Sequence, residues 1–524
     1  MACTRLASIL ALTLASGTAL AQGDHFSYEY QDDLFLNAAA EFPVVAGGTG
    51  GWASVGRVDA SNPAQLRMPV VRHAPSGALV WDRVWRVNIA GSLEDIVGTD
   101  VVTTSSQDIL VAGQTTWNPA TAFDYGNILA RFNGAGNLLW SWNYLGQGFI
   151  SEPGPALTLG GDGVVTMVGT ALRPGGAPGN RGHLVRASGA TGAPILQRIV
   201  SASIGGVGVP VQFTDVVEYP GGRLFIVGYT VRGGQSDIIV LLGNLDLSLA
   251  IAYVVDIPMS DERDVSVDIR GDEVIVAAPS RTMASSEPDS TIVLRMNPSI
   301  PPTAGALRWG VRLPQFIVGA RGTAFDQVAA GGPETVLLAG REFPLGAGRA
   351  AVVALDGLGA PQWGRRYGAP NPRESFDGIA TSPSTLFAVG QRIDGATPIS
   401  GYGVTAPKTT GVTDCLDDRL PVPVVPLEAP LPELGLNVEA FSGALTLPLA
   451  FVRGVEAVDL CTPPCDPDVN CDGNVDQDDI DCLAQAVAGD LTCICVDPDF
   501  NRDGNVDQDD IDALAQVIAG QPCP

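Results

Sequence analysis

The chain has 524 residues, 45% of them hydrophobic and 17% charged, with 57 acidic side chains against 30 Lys and Arg and a formal net charge of −27. So much apolar side chain must be buried, which excludes a disordered polyanion. The acidic balance excludes a surface built to hold nucleic acid or anionic membrane.

Arg5 precedes an apolar run from Leu6 to Leu20, and Ala19-Leu20-Ala21 stands before Gln22. This order of base, short apolar stretch and small-residue site predicts a secretory signal peptide over residues 1–21 and an exported, extracellular protein. No other stretch has the length of a membrane-spanning helix. Cys3 lies ahead of the apolar run and leaves with the signal.

Residues 22–420 are predicted to be a repeat domain. Apolar segments that end in a small residue recur at Trp52–Gly56, Leu110–Gly113, Thr166–Gly169, Phe225–Gly228, Val274–Ala278, Leu337–Gly340 and Phe387–Gly390, 50 to 62 residues apart. A period near 50 with several short β-rich runs per unit is the pattern of a β-propeller, one four-stranded blade per unit. An aspartate lies 13 or 14 residues upstream of the small residue in five units, at Asp100, Asp215, Asp264, Asp326 and Asp377. Recurrence in blade after blade points to turns or interblade hydrogen bonds, not to a catalytic group needed once. Trp81, Trp140, Trp309 and Trp363 each follow a glycine turn, and their regular placement assigns them to interblade packing.

Phe123–Trp140 and Pro361–Gly368 carry the closest resemblance to bacterial secreted β-propeller repeat proteins, whose units run Asp, apolar pair, small residue, β-run, then an aromatic strand. The resemblance implies a mainly β chain with about seven blades. Binding and enzymatic functions occur alike on such repeats. His25, His73 and His183 do not cluster, and neither a Ser-His-Asp order nor zinc spacing stands out, so no catalytic residue is assigned. A glycoside hydrolase or polysaccharide lyase with a carboxylate pair in the central channel stays open.

The seventh unit lacks an aromatic strand. Either His25–Tyr30 or residues 435–460 are expected to complete it and remove a free edge. Residues 421–464, Pro-rich from Pro421 to Pro432, are predicted to be an extended strap or linker.

Without Cys3 there remain eight cysteines, all from Cys415 onward. An even number in an exported protein predicts disulfides, with Cys415–Cys461 the expected bridge across the Pro-rich segment. A metal site at Cys493-Ile494-Cys495 is the alternative, although the spacing is short for zinc.

The last segment, residues 465–524, states its chemistry most plainly. Asp468–Asp479 and Asp499–Asp510 are near-identical twelve-residue loops, each with oxygen-bearing side chains at positions 1, 3, 5, 9 and 12 and glycine at position 6. That spacing wraps a hard cation: Ca2+ takes six to eight oxygens at about 2.3–2.6 Å, and Gly473 and Gly504 allow the sharp turn. The predicted ligands are Asp468, Asn470, Asp472, Asn474 (backbone carbonyl), Asp476 and Asp479, then Asp499, Asn501, Asp503, Asn505 (backbone carbonyl), Asp507 and Asp510. Each loop runs into a short amphipathic helix, Ile480–Gly489 and Ile511–Gly520. The tandem loop and exit helix, with Asp at position 12, resemble the dockerin family over residues 465–522.

The dockerin resemblance implies a small α calcium-binding domain with two Ca2+ sites that docks on a cohesin-like partner. Gln477-Asp478 and Gln508-Asp509 occupy the positions where many cellulosomal dockerins carry hydroxyl residues, which points away from a standard cellulosomal cohesin. The whole chain thus reads as an extracellular binding or interaction module tethered through its dockerin-like domain to a cohesin-type partner. The alternative is a polysaccharide-degrading propeller hydrolase or lyase delivered by that domain, with carbohydrate as the partner of the blades. A third reading makes the calcium domain a stability cap for its own chain.

Overall fold

The structure, a computed structural model, describes residues 25–29, 33–43, 50–61, 64–87, 95–115, 125–148, 154–172, 180–204, 207–248, 250–257, 260–282, 285, 288–299, 306–327, 332–342, 348–368, 373–393, 399–413, 417–419, 425–426, 435–440, 444–446, 449–451, 456–459, 469–470, 475, 477–488, 493, 500 and 506–519. The signal segment, the Cys415–Cys461 bridge and most of the two predicted cation loops lie outside these residues. Two compact units divide the chain, residues 1–458 and 459–524.

Among the described residues the first unit is β throughout, and its strands form seven antiparallel groups in chain order, called sheets one to seven below, the sixth and seventh joined by one parallel contact between Arg321 and Gly378. Sheet one is Asp33–Glu41, Trp52–Ser61, Ala64–His73 and Leu79–Val87; sheet two is Ile96–Thr103, Ile109–Thr115, Tyr125–Phe132 and Leu138–Gly148. Sheet three is Ala156–Leu159, Val164–Leu172, Asn180–Ser188 and Pro194–Ile204; sheet four is Val211–Tyr219, Arg223–Arg232, Gln235–Asn244 and Ala250–Val255. In sheet five the first strand is split into Ser260–Glu262 and Ser266–Arg270, both paired with Glu273–Thr282, and Ser290–Met296 and Leu307–Pro314 follow. Sheet six is Phe316–Gln327, Glu334–Glu342, Ala350–Asp356 and Pro361–Tyr367. Sheet seven takes Arg373–Thr381, Thr385–Ile393 and Ile399–Pro407, and its fourth strand is His25–Glu29 from the amino end.

Each sheet packs on the next through its apolar faces. Val55 and Met68 of sheet one share a core with Val111 and Ile128 of sheet two, and Val227 and Val240 of sheet four share one with Val276 and Leu294 of sheet five. Leu34, Leu36 and Trp52 of sheet one pack against Phe387 and Val389 of sheet seven, where the Trp52 and Phe387 rings stack with centroids 5.2 Å apart. The β-branched and aromatic residues of the repeats suit these surfaces, which are buried on both sides.

The repeat glycine has a steric cause in five repeats, at Gly56, Gly113, Gly228, Gly340 and Gly390. The first strand of most sheets carries a bulge, at Asn37, Thr99, Thr214 and Asp377, where two residues face one on the second strand. The bulge pushes a carbonyl into the space a side chain would need. A Cβ on Gly56 would stand 1.8 Å from the Phe35 oxygen, and one on Gly228 would stand 1.9 Å from that of Gln212.

Residues 435–460 do not complete sheet seven. From Asp417 the chain runs back around the outer edges of the sheets instead. Asp417–Arg419 pairs with sheet six, Val425–Pro426 with sheet five, Gly435–Ala440 with sheet three, Ala444–Thr446 with sheet two, Leu449–Phe451 with sheet one, and Glu456–Asp459 lies beside His25–Glu29 in sheet seven. The predicted strap is therefore a belt of short strands, and it occupies edges that would otherwise offer unpaired amides and carbonyls.

In the second unit, helices α1 (Gln477–Val487) and α2 (Gln508–Ile518) begin three residues earlier than the sequence pattern suggested. Val469, Leu483, Ala486, Phe500 and Leu514 form their shared core. Cys482 on α1 bonds to Cys493 with their Cα atoms 5.8 Å apart, which removes Cys493 from the alternative metal site with Cys495.

Candidate functional site

The recurring aspartates divide by position. Asp100 accepts from the amide of Val101 in its own strand (2.8 Å) and of Leu157 in sheet three (2.8 Å), and Asp215 does the same with Val216 (2.8 Å) and with Val267 of sheet five (2.9 Å). These two are the intersheet links expected of them. In sheet five that role falls to Asp268, which receives the Phe325 amide (2.8 Å), and not to Asp264. Asp264 sits at φ 52° in the gap of the split strand, while Asp377 is itself the bulged residue of sheet seven. The offset of 13 or 14 residues misaligns them because the turn after the first strand differs in length from sheet to sheet.

The tryptophans hold to expectation. The Nε1 of Trp81 donates to the Gly134 carbonyl in the turn of the following sheet (2.9 Å), that of Trp309 to Gly357 (2.9 Å) and that of Trp363 to Lys408 (3.2 Å). Their indoles are used in joining sheets.

Three of the bulges, at Asn37, Thr99 and Asp377, border a pocket of about 340 Å³ lined from sheets one, two, five, six and seven and from Gly154, just ahead of sheet three. Its walls include Phe35 and Asn37, Val97 and Thr99, Gly154, Asp264 and Pro279, the segment Ile317–Arg321, and Phe376 and Asp377. Asn37 donates to Gly98 O (2.8 Å) and Thr99 to Pro155 O (2.6 Å), so these bulged side chains stitch each sheet to the next beneath the pocket.

Sheet six departs from this scheme. Between Val318 and Thr323 its first strand has four residues, Gly319–Gly322, against the single Ala339 opposite, a register shift of three where sheets one, two, four and seven shift by one. A Cβ on Gly319 would meet Phe376 O at 2.4 Å and one on Gly322 would meet Ala339 O at 2.1 Å, so only glycines fit the two ends of the expansion. Between them Arg321 extends away from its own sheet. Its Nη2 donates to the Gly154 carbonyl just ahead of sheet three (3.0 Å), and its Nε lies 3.8 Å from the Asp100 carboxylate. Burial pushes the Asp215 carboxyl up to about 7 against the pull of the Arg321 guanidinium, and Asp100 is raised by burial and drawn back by the same cation.

A second set of pocket side chains comes from the residue after the repeat glycine. Arg57, Gln114, Arg341 and Gln391 follow Gly56, Gly113, Gly340 and Gly390 and line the pocket from sheets one, two, six and seven. Sheets six, seven, one and two are consecutive, so Arg, Gln, Arg and Gln alternate along one side. Arg57 also lies over the Phe35 ring at 4.2 Å and 3.6 Å from Asp59. Arg321 and this row escaped the sequence reading, although the extra Gly-Ala-Arg-Gly in the sixth repeat was a legible signal.

Ion pairs hold the other ends of the first strands. Asp326 accepts from Lys408 Nζ (2.7 Å) and Arg270 (3.2 Å), and burial beside Asp326 pushes Glu41 up to about 7.

In the second unit, Asn470, Asp479, Asp507 and Asp510 are the predicted cation ligands within the described residues; Asp468, Asp472, Asn474, Asp476, Asp499, Asn501, Asp503 and Asn505 lie outside them. Asp479 and Asp510 are fully buried although each stands in the first turn of a helix. Asp479 Oδ1 accepts from the Asn470 amide (3.1 Å), so loop position 12 returns onto position 3. Asp510 accepts from the Asp507 amide (2.8 Å), and Asp507 caps α2 by accepting from the amide of Asp509 (2.9 Å). Carboxylate and side-chain amide oxygens are ligand types that suit a hard divalent cation.

No protein-family model matches the chain, and no curated protein matches it. Among solved structures it is similar to a protein of unknown function from Dyadobacter fermentans (13% identity, TM-score 0.36, covering 58% of this chain and 93% of that one). It is also similar to Trypanosoma rangeli sialidase in complex with the inhibitor DANA (10%, 0.35, 70% and 55%) and to NanB sialidase from Streptococcus pneumoniae (9%, 0.38, 72% and 70%). With TM-scores this low, neither fold nor activity passes from them to this chain.

Proposed function

We propose that this is an exported binding protein whose seven sheets close a β-propeller, with a ligand taken at the pocket where the sheets meet. The carboxy-terminal unit folds around two Ca2+ ions, held by Asp468, Asn470, Asp472, Asn474, Asp476 and Asp479 and by Asp499, Asn501, Asp503, Asn505, Asp507 and Asp510, and tethers the chain to a cohesin-type extracellular partner. The observation that supports the calcium-binding unit is the return of the buried Asp479 carboxylate onto the Asn470 amide, which brings positions 3 and 12 of an oxygen-rich loop together. Carboxylates crowded this way repel one another until a divalent ion neutralises them, so metal binding and folding are linked.

The test uses the secreted full-length chain as bait against extracellular proteins of its own source, with calcium and with chelator. Capture of one partner only with calcium, lost in the Asp472→Ala/Asp503→Ala double variant, supports the tether. Calcium-dependent folding with no capture would sink it and leave a domain that serves its own chain.

A polysaccharide-degrading reading has one observation in its favour, namely that two carboxylates, Asp264 and Asp377, line the same pocket. Release of reducing ends from an acidic or neutral polysaccharide, abolished by Asp377→Asn, would favour it over binding alone.

A further inference from the structure

We infer that the pocket between the sheets takes an uncharged, polyhydroxylated ligand, a neutral sugar of one or two rings. This rests on the reading of that pocket as the ligand site. Part of its lining is built from cross-strand pairs at one level of the repeat, each joining the residue after the repeat glycine to its partner on the first strand. Val97 pairs with Gln114 in sheet two and Ser375 with Gln391 in sheet seven, and Phe35 pairs with Arg57 in sheet one between them.

The charged side chains of the lining are already answered within the protein. Arg57 lies over the Phe35 ring and 3.6 Å from Asp59, and Arg341, Asp264 and Asp377 each have a partner too. An ionic ligand of either sign would have to compete with those contacts. The uncharged groups stand differently. Gln114 is 4% exposed and Ser375 8% exposed, and among the described residues neither these two side chains nor that of Gln391 has a hydrogen-bond partner. Their polar atoms are not sealed off, so they are open to the pocket they line. An amide or hydroxyl buried without a partner costs free energy, and the unmet demand here is for groups that donate and accept without charge.

Each of these three groups both donates and accepts, as does every hydroxyl of a sugar. Beside them Phe35, Val97 and Ile317 give apolar surface, which suits the C–H face of a ring. A peptide also pairs with amides, but an extended peptide binds by adding to a sheet edge, and here the free groups are side chains. A volume of about 340 Å³ holds one or two sugar rings.

Titration calorimetry of the full-length protein in calcium tests this. The probes are cellobiose, xylobiose and mannobiose, with cellobiouronic acid as a charged sugar and N-acetylglycylglycinamide as an uncharged peptide. At least one neutral disaccharide should bind, with an affinity that changes less than about twofold between about 50 and 500 mM salt, and the acid at least about tenfold more weakly. Gln114→Leu and Gln391→Leu should each weaken that disaccharide about tenfold. Their thermal midpoints should not fall, because no hydrogen bond within the protein is lost. Ser375→Ala, which removes one hydroxyl, should still weaken the sugar if a Leu variant fails to fold. Unchanged affinity in every folded variant would put the sugar elsewhere and overturn the inference. Equal or tighter binding of the acid would overturn the neutral ligand while leaving the pocket as a ligand site, and binding of the peptide alone would overturn the sugar in the same way. No binding of any probe would overturn both the inference and the pocket's role.

Discussion

Arg321, on the first strand of sheet six, donates to the Gly154 carbonyl just ahead of sheet three across the middle of the seven-sheet unit. The two residues are 167 apart in sequence. The guanidinium also answers two buried carboxylates, Asp100 and Asp215, on sheets two and four. One side chain of sheet six thus bonds the segment that leads into sheet three and stands beside a buried carboxylate of sheet two.

Replacing Arg321 by Met should cost about 3 kcal/mol, because breaking a buried pair leaves uncompensated charge behind. Denaturant unfolding measures it. The variant should also respond to pH in a defined direction. Asp215 already has a folded value raised to about 7, above that of an unfolded aspartate, so the folded state holds the extra proton. The contribution is present at low pH and is lost as pH rises from about 4 through 7. Without Arg321 the folded value rises further, so variant and parent lose this contribution in parallel up to about pH 7, and the gap in stability between them should widen only as pH rises above that. A constant gap would show that Arg321 does not act on these carboxylates.

Gly228→Ala should destabilise by about 2–3 kcal/mol, since its Cβ would stand 1.9 Å from the Gln212 oxygen and neither strand can yield without breaking the bulge. Thermal unfolding checks it. A change within a few tenths of a kcal/mol would mean that the repeat glycine is not fixed by the bulge.

Trp309→Phe removes the indole donation to Gly357 O while keeping most of the ring, and a loss of about 1 kcal/mol is expected in denaturant unfolding. An unchanged midpoint would assign the tryptophan to packing alone.

A chain ending at residue 459 should keep the thermal midpoint of the seven-sheet unit, whereas one ending at residue 413 lacks the belt and exposes the outer edges of sheets one, two, three, five and six. The shorter chain is expected to aggregate on size-exclusion chromatography. If both stay monomeric with the same midpoint, the belt does not protect the edges.

Asp510→Ala removes a buried carboxylate that closes the capping box of α2 and is a predicted calcium ligand. Helix content of the calcium-free protein should fall slightly, by an amount worth about 1 kcal/mol, and calcium affinity should fall much more. Circular dichroism during calcium titration separates the two effects, and equal affinity in variant and parent would remove Asp510 from the cation site.

The sequence by itself determined everything that depends on local repetition. Seven small residues at a period of 50 to 62 marked seven second strands, and the tryptophans and the two exit helices were legible because packing repeats wherever the geometry repeats. The aspartates were read only in part, since turns of unequal length slide one strand against its partner without altering the spacing of residues in the chain. What only the tertiary structure decided depends on which distant segments pair. That His25–Glu29 joins Ile399–Pro407, that the short strands from Asp417–Arg419 to Glu456–Asp459 pair with sheet edges, and that Arg57, Gln114, Arg341 and Gln391 share one pocket with Arg321 are relations between segments far apart in the chain. No local pattern encodes them, because the energy that selects them comes from edges and buried charges finding partners once the sheets have assembled.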